Sequence, residues 1–169
     1  MFPTVASWHQ CYAVTRDNAP KTSQANLSIV IVADAALRLR CQTILAKQRI
    51  ASRGASLAGA CRLLRRYRPS VLLLDAACSP LHTLAALSAL KHLSPDTGVV
   101  LLGRRRASTS LLLEAVRWGA WGHLAERDLS RDLPKAVRMV AARQPWLPRR
   151  LSAAIVAELV ERDHAEERN

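Results

Sequence analysis

Val71-Leu72-Leu73-Leu74-Asp75 is the stretch that most limits what this chain can fold into: four consecutive apolar residues that end on a carboxylate. A run without polar alternation is buried on both faces, the environment of a central strand in a parallel sheet. Open α/β sheets gather ligands outside the carboxyl ends of such strands, which makes Asp75 the first candidate for a functional group. The plainer alternative is that Asp75 caps the next helix or opens a turn, where Asp is common. Ser28-Ile29-Val30-Ile31-Val32-Ala33-Asp34 repeats the pattern, a β-branched run ending on an acid. The two acids are therefore considered together.

The remaining segments alternate in period. Leu37, Cys41, Ile44 and Leu45 share one face of a helix, and a short strand is predicted around Ile50 to Arg53. Leu57, Ala60, Cys61 and Leu64 recur at helical spacing in a second helix that Pro69 closes. Leu81 to Leu93 is helical, with Leu84, Leu87 and Leu90 inward, and Pro95-Asp96 makes the turn. Val99 to Leu102 is a fourth strand ended by Gly103, Ser108 to Trp118 a helix, and Gly119 to Leu124 a turn and a fifth strand. A fifth helix reaches about Arg143 with Leu133, Val137 and Val140 inward, and Pro134 is placed in its first turn because a later proline removes a helix hydrogen bond. Five strands alternating with five helices predict a parallel sheet covered on both faces, joined by right-handed crossovers. Residues 1–27 have no period and read as a loosely ordered extension, in which Trp8 and Tyr12 could dock locally. Residues 28–143 form the domain, and residues 144–169 hold a last helix with a Leu151, Ile155, Leu159 stripe and an acidic tail.

Charge bounds the partners. Lys and Arg number 25 against 13 Asp and Glu, a net +12, which favours polyanions such as nucleic acid or an acidic surface. The basic residues are spread along several helices with few aromatics, the pattern of a solvated face. Cys11, Cys41, Cys61 and Cys78 form no C-x-x-C pair, which predicts reduced thiols in a cytosolic protein. Apolar runs are too short to span a bilayer, and no export signal opens the chain. His9, His82, His92 and His164 lack ligand spacing, and no G-x-G-x-x-G, phosphate-loop or nucleophile-elbow motif occurs, which disfavours an enzyme.

Glu114-Ala115-Val116-Arg117-Trp118-Gly119-Ala120-Trp121-Gly122-His123-Leu124, with Gln144-Pro145-Trp146-Leu147 after the fifth helix, resembles a response-regulator receiver domain of the NarL/FixJ type together with its linker. The resemblance runs from Ser28 to about Leu159. It implies a flavodoxin-like (CheY-like) five-stranded parallel sheet of order 2-1-3-4-5 in a bacterial two-component pathway, with an acidic phosphorylation pocket at the strand ends. Asp75 matches the phosphoacceptor and Asp34 the second of the family's paired acids. With Asp75 they would be ligands for magnesium, the one cofactor implied, and only if the pocket functions.

Four pocket positions depart from the family. Ala33 replaces the first acid, Gly103 the Ser or Thr that ends strand 4, His123 the switching Tyr or Phe, and Glu126 the Lys that ends strand 5. An aspartyl nucleophile approaches a phosphoryl group only when the gathering negative charge is neutralised. A pair of charges 4 Å apart interacts by roughly 4 kcal/mol at an effective dielectric of about 20, so exchanging Lys for Glu is not conservative. Asp75 to Pro80 is also one residue longer than usual. Ser108, Thr109 or Ser110 are candidates to replace the hydroxyl, and Arg104 or Arg127 the cation. The expectation is a stand-alone pseudo-receiver with no helix-turn-helix domain, acting on a histidine kinase or another regulator by protein contact. Trp118 and Trp121 are its interface candidates, including for a homodimer, and the helix from Arg149 to Val160 is expected to dock. The alternatives are a transcription regulator that holds DNA through its basic surface, and a phosphorylatable regulator with substituted ligands.

Overall fold

The structure is a computed structural model. It describes residues 27–76, 80–103, 108–151 and 153–154, so the expected N-terminal extension, Ile155, Leu159 and the acidic tail lie outside the described residues. Strands β1 (Ser28–Val32), β2 (Ala51–Ala55), β3 (Val71–Asp75), β4 (Gly98–Gly103) and β5 (Ala120–Ala125) alternate with helices α1 (Ala35–Lys47), α2 (Leu57–Tyr67), α3 (Pro80–Leu93) and α4 (Thr109–Arg117). A 3₁₀ turn at Glu126–Asp128 then leads into α5 (Leu129–Ala141). All pairings are parallel and the sheet order is β2-β1-β3-β4-β5, as the sequence predicts.

Unbroken apolar runs make this architecture because a strand's side chains alternate between two covered faces. Ile29, Ile31, Val71, Leu73, Val100 and Leu102 face α1 and α5, where Leu37, Cys41, Leu45, Leu133, Val137 and Val140 meet them. Val30, Val32, Leu72, Leu74, Val99 and Leu101 face the other helices, meeting Leu64 of α2, Leu87 and Leu90 of α3 and Ala115 of α4. At the sheet's N-terminal end Thr97 Oγ1 donates to the Pro69 carbonyl at 2.7 Å and lies 2.8 Å from Ser94 Oγ, so this buried hydroxyl pair is satisfied.

Three local expectations are corrected. The second strand begins after Ile50, at Ala51, because Ile50 is a core side chain of the preceding turn. Pro134 lies in the second turn of α5, not the first. The helix starts early because Leu129 and Leu133 are both fully buried and one helical turn carries both inward; the lost bond is the one back to Ser130, an exposed residue that water can serve. The same helix stops at Ala141, short of Arg143. Arg143 takes a left-handed conformation (φ 62°), and Gln144 N–H closes on the Met139 carbonyl at 2.9 Å in a Schellman turn.

That turn aims the chain at the sheet. Trp146 N–H donates to the Trp121 carbonyl at 2.9 Å and His123 N–H donates to the Trp146 carbonyl at 3.0 Å, so the linker lies parallel along β5. Gly122 permits the approach: a Cβ there would stand 3.2 Å from the Trp146 carbonyl and 3.3 Å from Val100. Leu151 then buries completely against Leu112 and Val116 of α4, which anchors the start of the last helix on the domain.

Gly98 is a packing constraint of the same kind, since a Cβ there would be 2.3 Å from Val140 Cγ1. Gly98→Ala is expected to destabilise by about 1–3 kcal/mol as an overpacked core does. Adding Val140→Ala should return part of that loss in a urea-denaturation double-mutant cycle, whereas additive losses would show that the two positions do not touch.

Candidate functional site

Strand order reverses between β1 and β3, which opens a crevice at their carboxyl ends. Asp75, the last residue of β3, is only 4 % exposed there. Asp34 follows β1 and is exposed. Its Oδ1 accepts the Leu37 N–H at 2.8 Å as the N-cap of α1, the plainer role of the two open to it. Ala33, between them in sequence, packs on the α1–α5 side of the core.

Cys41 of α1 reports what surrounds the crevice floor. Burial pushes its thiol up to about 12, the Arg40 charge acts in the opposite direction, and the negative charges of Glu126 and Asp75 raise it further. One buried thiol therefore feels both acids. Glu126 opens the 3₁₀ turn after β5, and Arg40 Nη1 donates to its Oε1 at 3.4 Å. Both partners are partly exposed, so the pair contributes well under about 1 kcal/mol; its effect is on the sign of the local charge, not on stability. Arg40 is the residue that sequence reasoning missed. It stands beside the core residue Cys41, and only the packing of α1 near the end of β5 brings it to Glu126.

The substitutes foreseen for the family's other groups are engaged elsewhere. Ser108 Oγ caps α4, accepting the Leu111 N–H at 3.2 Å and lying 3.1 Å from Ser110 Oγ. Arg127 pairs with Asp128 at 3.6 Å. Gly103 ends β4 opposite Ala125 and brings no hydroxyl. Residues 77–79 and Arg104 lie outside the described residues. Among the described residues no three His, Cys, Asp or Glu side chains group so as to hold a metal ion. With Asp34 capping a helix and Ala33 in the position of a third carboxylate, the donor set does not fit the magnesium that the resemblance implies.

His123 sits on β5 beside Leu101, 9 % exposed, and its Nε2 has no hydrogen-bond partner among the described residues. Burial, and secondarily the Arg150 charge, hold its pKa below the ordinary 6.5, so the ring is neutral at pH 7. The two tryptophans separate. Trp118, the C-cap of α4, is 37 % exposed, and its indole N–H is tied to Glu114 Oε1 at 3.1 Å. Trp121 is half-buried against the α1–α5 core, with the Arg143 guanidinium 5.8 Å from its ring centroid. As an interface anchor it is therefore corrected: much of its indole is committed to its own domain.

This sheet order, with acids at the ends of β1 and β3, defines the receiver class of fold. Solved structures give the particular likenesses. The isolated REC domain of RcsB from Salmonella enterica serovar Typhimurium superposes with a TM-score of 0.68 at 16 % identity, covering 77 % of this chain and 98 % of that one. A LuxR family DNA-binding response regulator from Silicibacter pomeroyi gives 0.61 at 24 % identity, covering 72 % and 97 %. Against the Salmonella typhimurium RcsB response regulator the TM-score is 0.64 at 16 % identity, and the match covers 76 % of this chain but only 66 % of that one. At these identities the likeness establishes the fold. No protein-family model matches the sequence, and no curated protein does. Among the described residues no helix is long and apolar enough to cross a membrane.

The depressed His123 pKa sets a pH dependence. Below 6.5 the unfolded chain takes up a proton that the folded ring refuses, so stability is fully present above 6.5 and falls as pH drops from there toward the folded value. Asp132, which the Arg131 hydrogen bond holds below its ordinary 3.8, titrates beneath this window. The urea midpoint should therefore be lower at pH 5 than at pH 7, and His123→Phe should flatten the difference.

Proposed function

We propose that this chain is a pseudo-receiver: a receiver fold that regulates signalling or transcription in the cytoplasm by protein contact, without phosphorylation of Asp75. The observation that carries the reading is the Arg40–Glu126 pair. Where the family resemblance calls for a cation facing the phosphoryl oxygens stands an acid, and the cation that reaches the crevice is turned toward that acid. A receiver switches only if charge on its aspartate is worth more in one conformation than in the other. Gly103 offers no hydroxyl to swing toward a phosphate, and His123 is a neutral ring held between the sheet and the linker start.

The surface this leaves for contact is the α4–β5 side, where Trp118 stands out and the linker is already seated. Its natural partners are a histidine kinase, another regulator or a second copy of the chain. Asp75→Asn is expected to leave partner capture and cellular output unchanged, while Trp118→Ala weakens capture. Magnesium-dependent incorporation of label from a small phosphodonor, abolished by Asp75→Asn together with altered binding, would restore the ordinary phosphorylation switch.

A further inference from the structure

Between Asp34 and Asp75 the sequence carries nine Lys or Arg and no Asp or Glu. The fold gathers much of this charge on the sheet edge opposite β5. The Arg38 stem crosses Gly54 on the edge strand β2, where a Cβ would lie 2.3 Å from Arg38 Cδ. The guanidinium of Arg53, on the same strand, stands over the Tyr67 ring at 4.7 Å from its centroid, and that of Arg66 at 5.6 Å. Tyr67 thus ties the β2 edge to the outer face of α2. There Arg62, Arg65 and Arg66 line an open concavity of about 490 Å³ with Cys61.

Like charges three and four residues apart on a helix repel, and no acid in α1, β2 or α2 offsets them. A polyanion relieves that repulsion. Guanidinium forks match phosphate oxygens, and the cation–π contacts hold Arg53 and Arg66 in place before a partner arrives, which lowers the entropic cost of binding. Tyr67 already carries two guanidinium groups, so it is not an open platform for an unstacked base. That favours a partner met through its backbone alone. We propose that the β2–α2 face binds duplex DNA through its phosphates, without reading sequence, at a surface separate from the strand-end crevice and from the α4–β5 side.

The test uses the full chain and a short labelled duplex of mixed sequence, followed by fluorescence anisotropy across a salt series. Wild type should bind with an affinity that falls steeply with salt. Arg62→Gln/Arg65→Gln/Arg66→Gln should lose at least about tenfold in affinity and reduce the slope of log K against log salt by about 2.7, since each phosphate contact contributes about 0.9. These side chains are exposed, so thermal unfolding should not move. A control that removes the same charge elsewhere, Arg117→Gln/Arg131→Gln/Arg149→Gln, should keep nearly the wild-type slope. The proposal is overturned if wild type does not bind the duplex at low salt, or if the two triple variants lose affinity equally. Tighter binding to single-stranded DNA of the same sequence, or to polyglutamate, would also overturn it, in favour of a stacked strand or an acidic protein.

Discussion

A strand buried on both faces has nowhere along its length to put a polar group, so its chemistry is confined to its ends. β3 imposes that condition on the molecule. Its neighbours take their register from it, Ile29 beside Val71 and Val71 beside Gly98, and both helical layers exist to cover its alternating leucines. The carboxylate at its last position is therefore the one ionisable group of the central strand, and whatever surrounds that end decides its use.

What surrounds it is a set of charges settled among themselves. Asp34 is spent on the first turn of α1, Glu126 faces Arg40, and the Cys41 thiol remains protonated beside the acids. A pocket built to receive a dianion keeps a surplus of positive charge in reserve; this one holds little. The neutral imidazole of His123 extends the same character to β5, where a buried cation would have Arg150 for a neighbour. A receiver scaffold with these features is suited to presenting surfaces, and its two large ones lie on opposite edges of the sheet.

The sheet was legible because unbroken apolar runs and helical spacing are local signals that a window of a few residues contains. Asp34 and Asp75 could be placed at strand ends for the same reason. The Arg40–Glu126 pair could not, since its members are 86 positions apart and neither residue type announces the other. The linker's pairing with β5 was hidden in the same way: Pro145 and Pro148 read as chain breakers, while the hydrogen bonds come from Trp146 between them. Pro134 was misplaced because a propensity rule about lost bonds was weighed without the burial of Leu129. The basic residues read as scattered because their convergence is across elements, through Tyr67 and Gly54.

An open parallel sheet has two borders, and a bare border invites another chain to extend the ladder. Here Trp146 occupies part of one, hydrogen-bonded on the outer side of β5. The other is β2, five residues long, carrying Arg53 and roofed at Gly54 by the stem of Arg38. Stacking of sheets through the main chain, the indiscriminate route to fibres, is thereby obstructed at both borders. Association between copies is left to side-chain surfaces, which can be complementary to one partner and reject others.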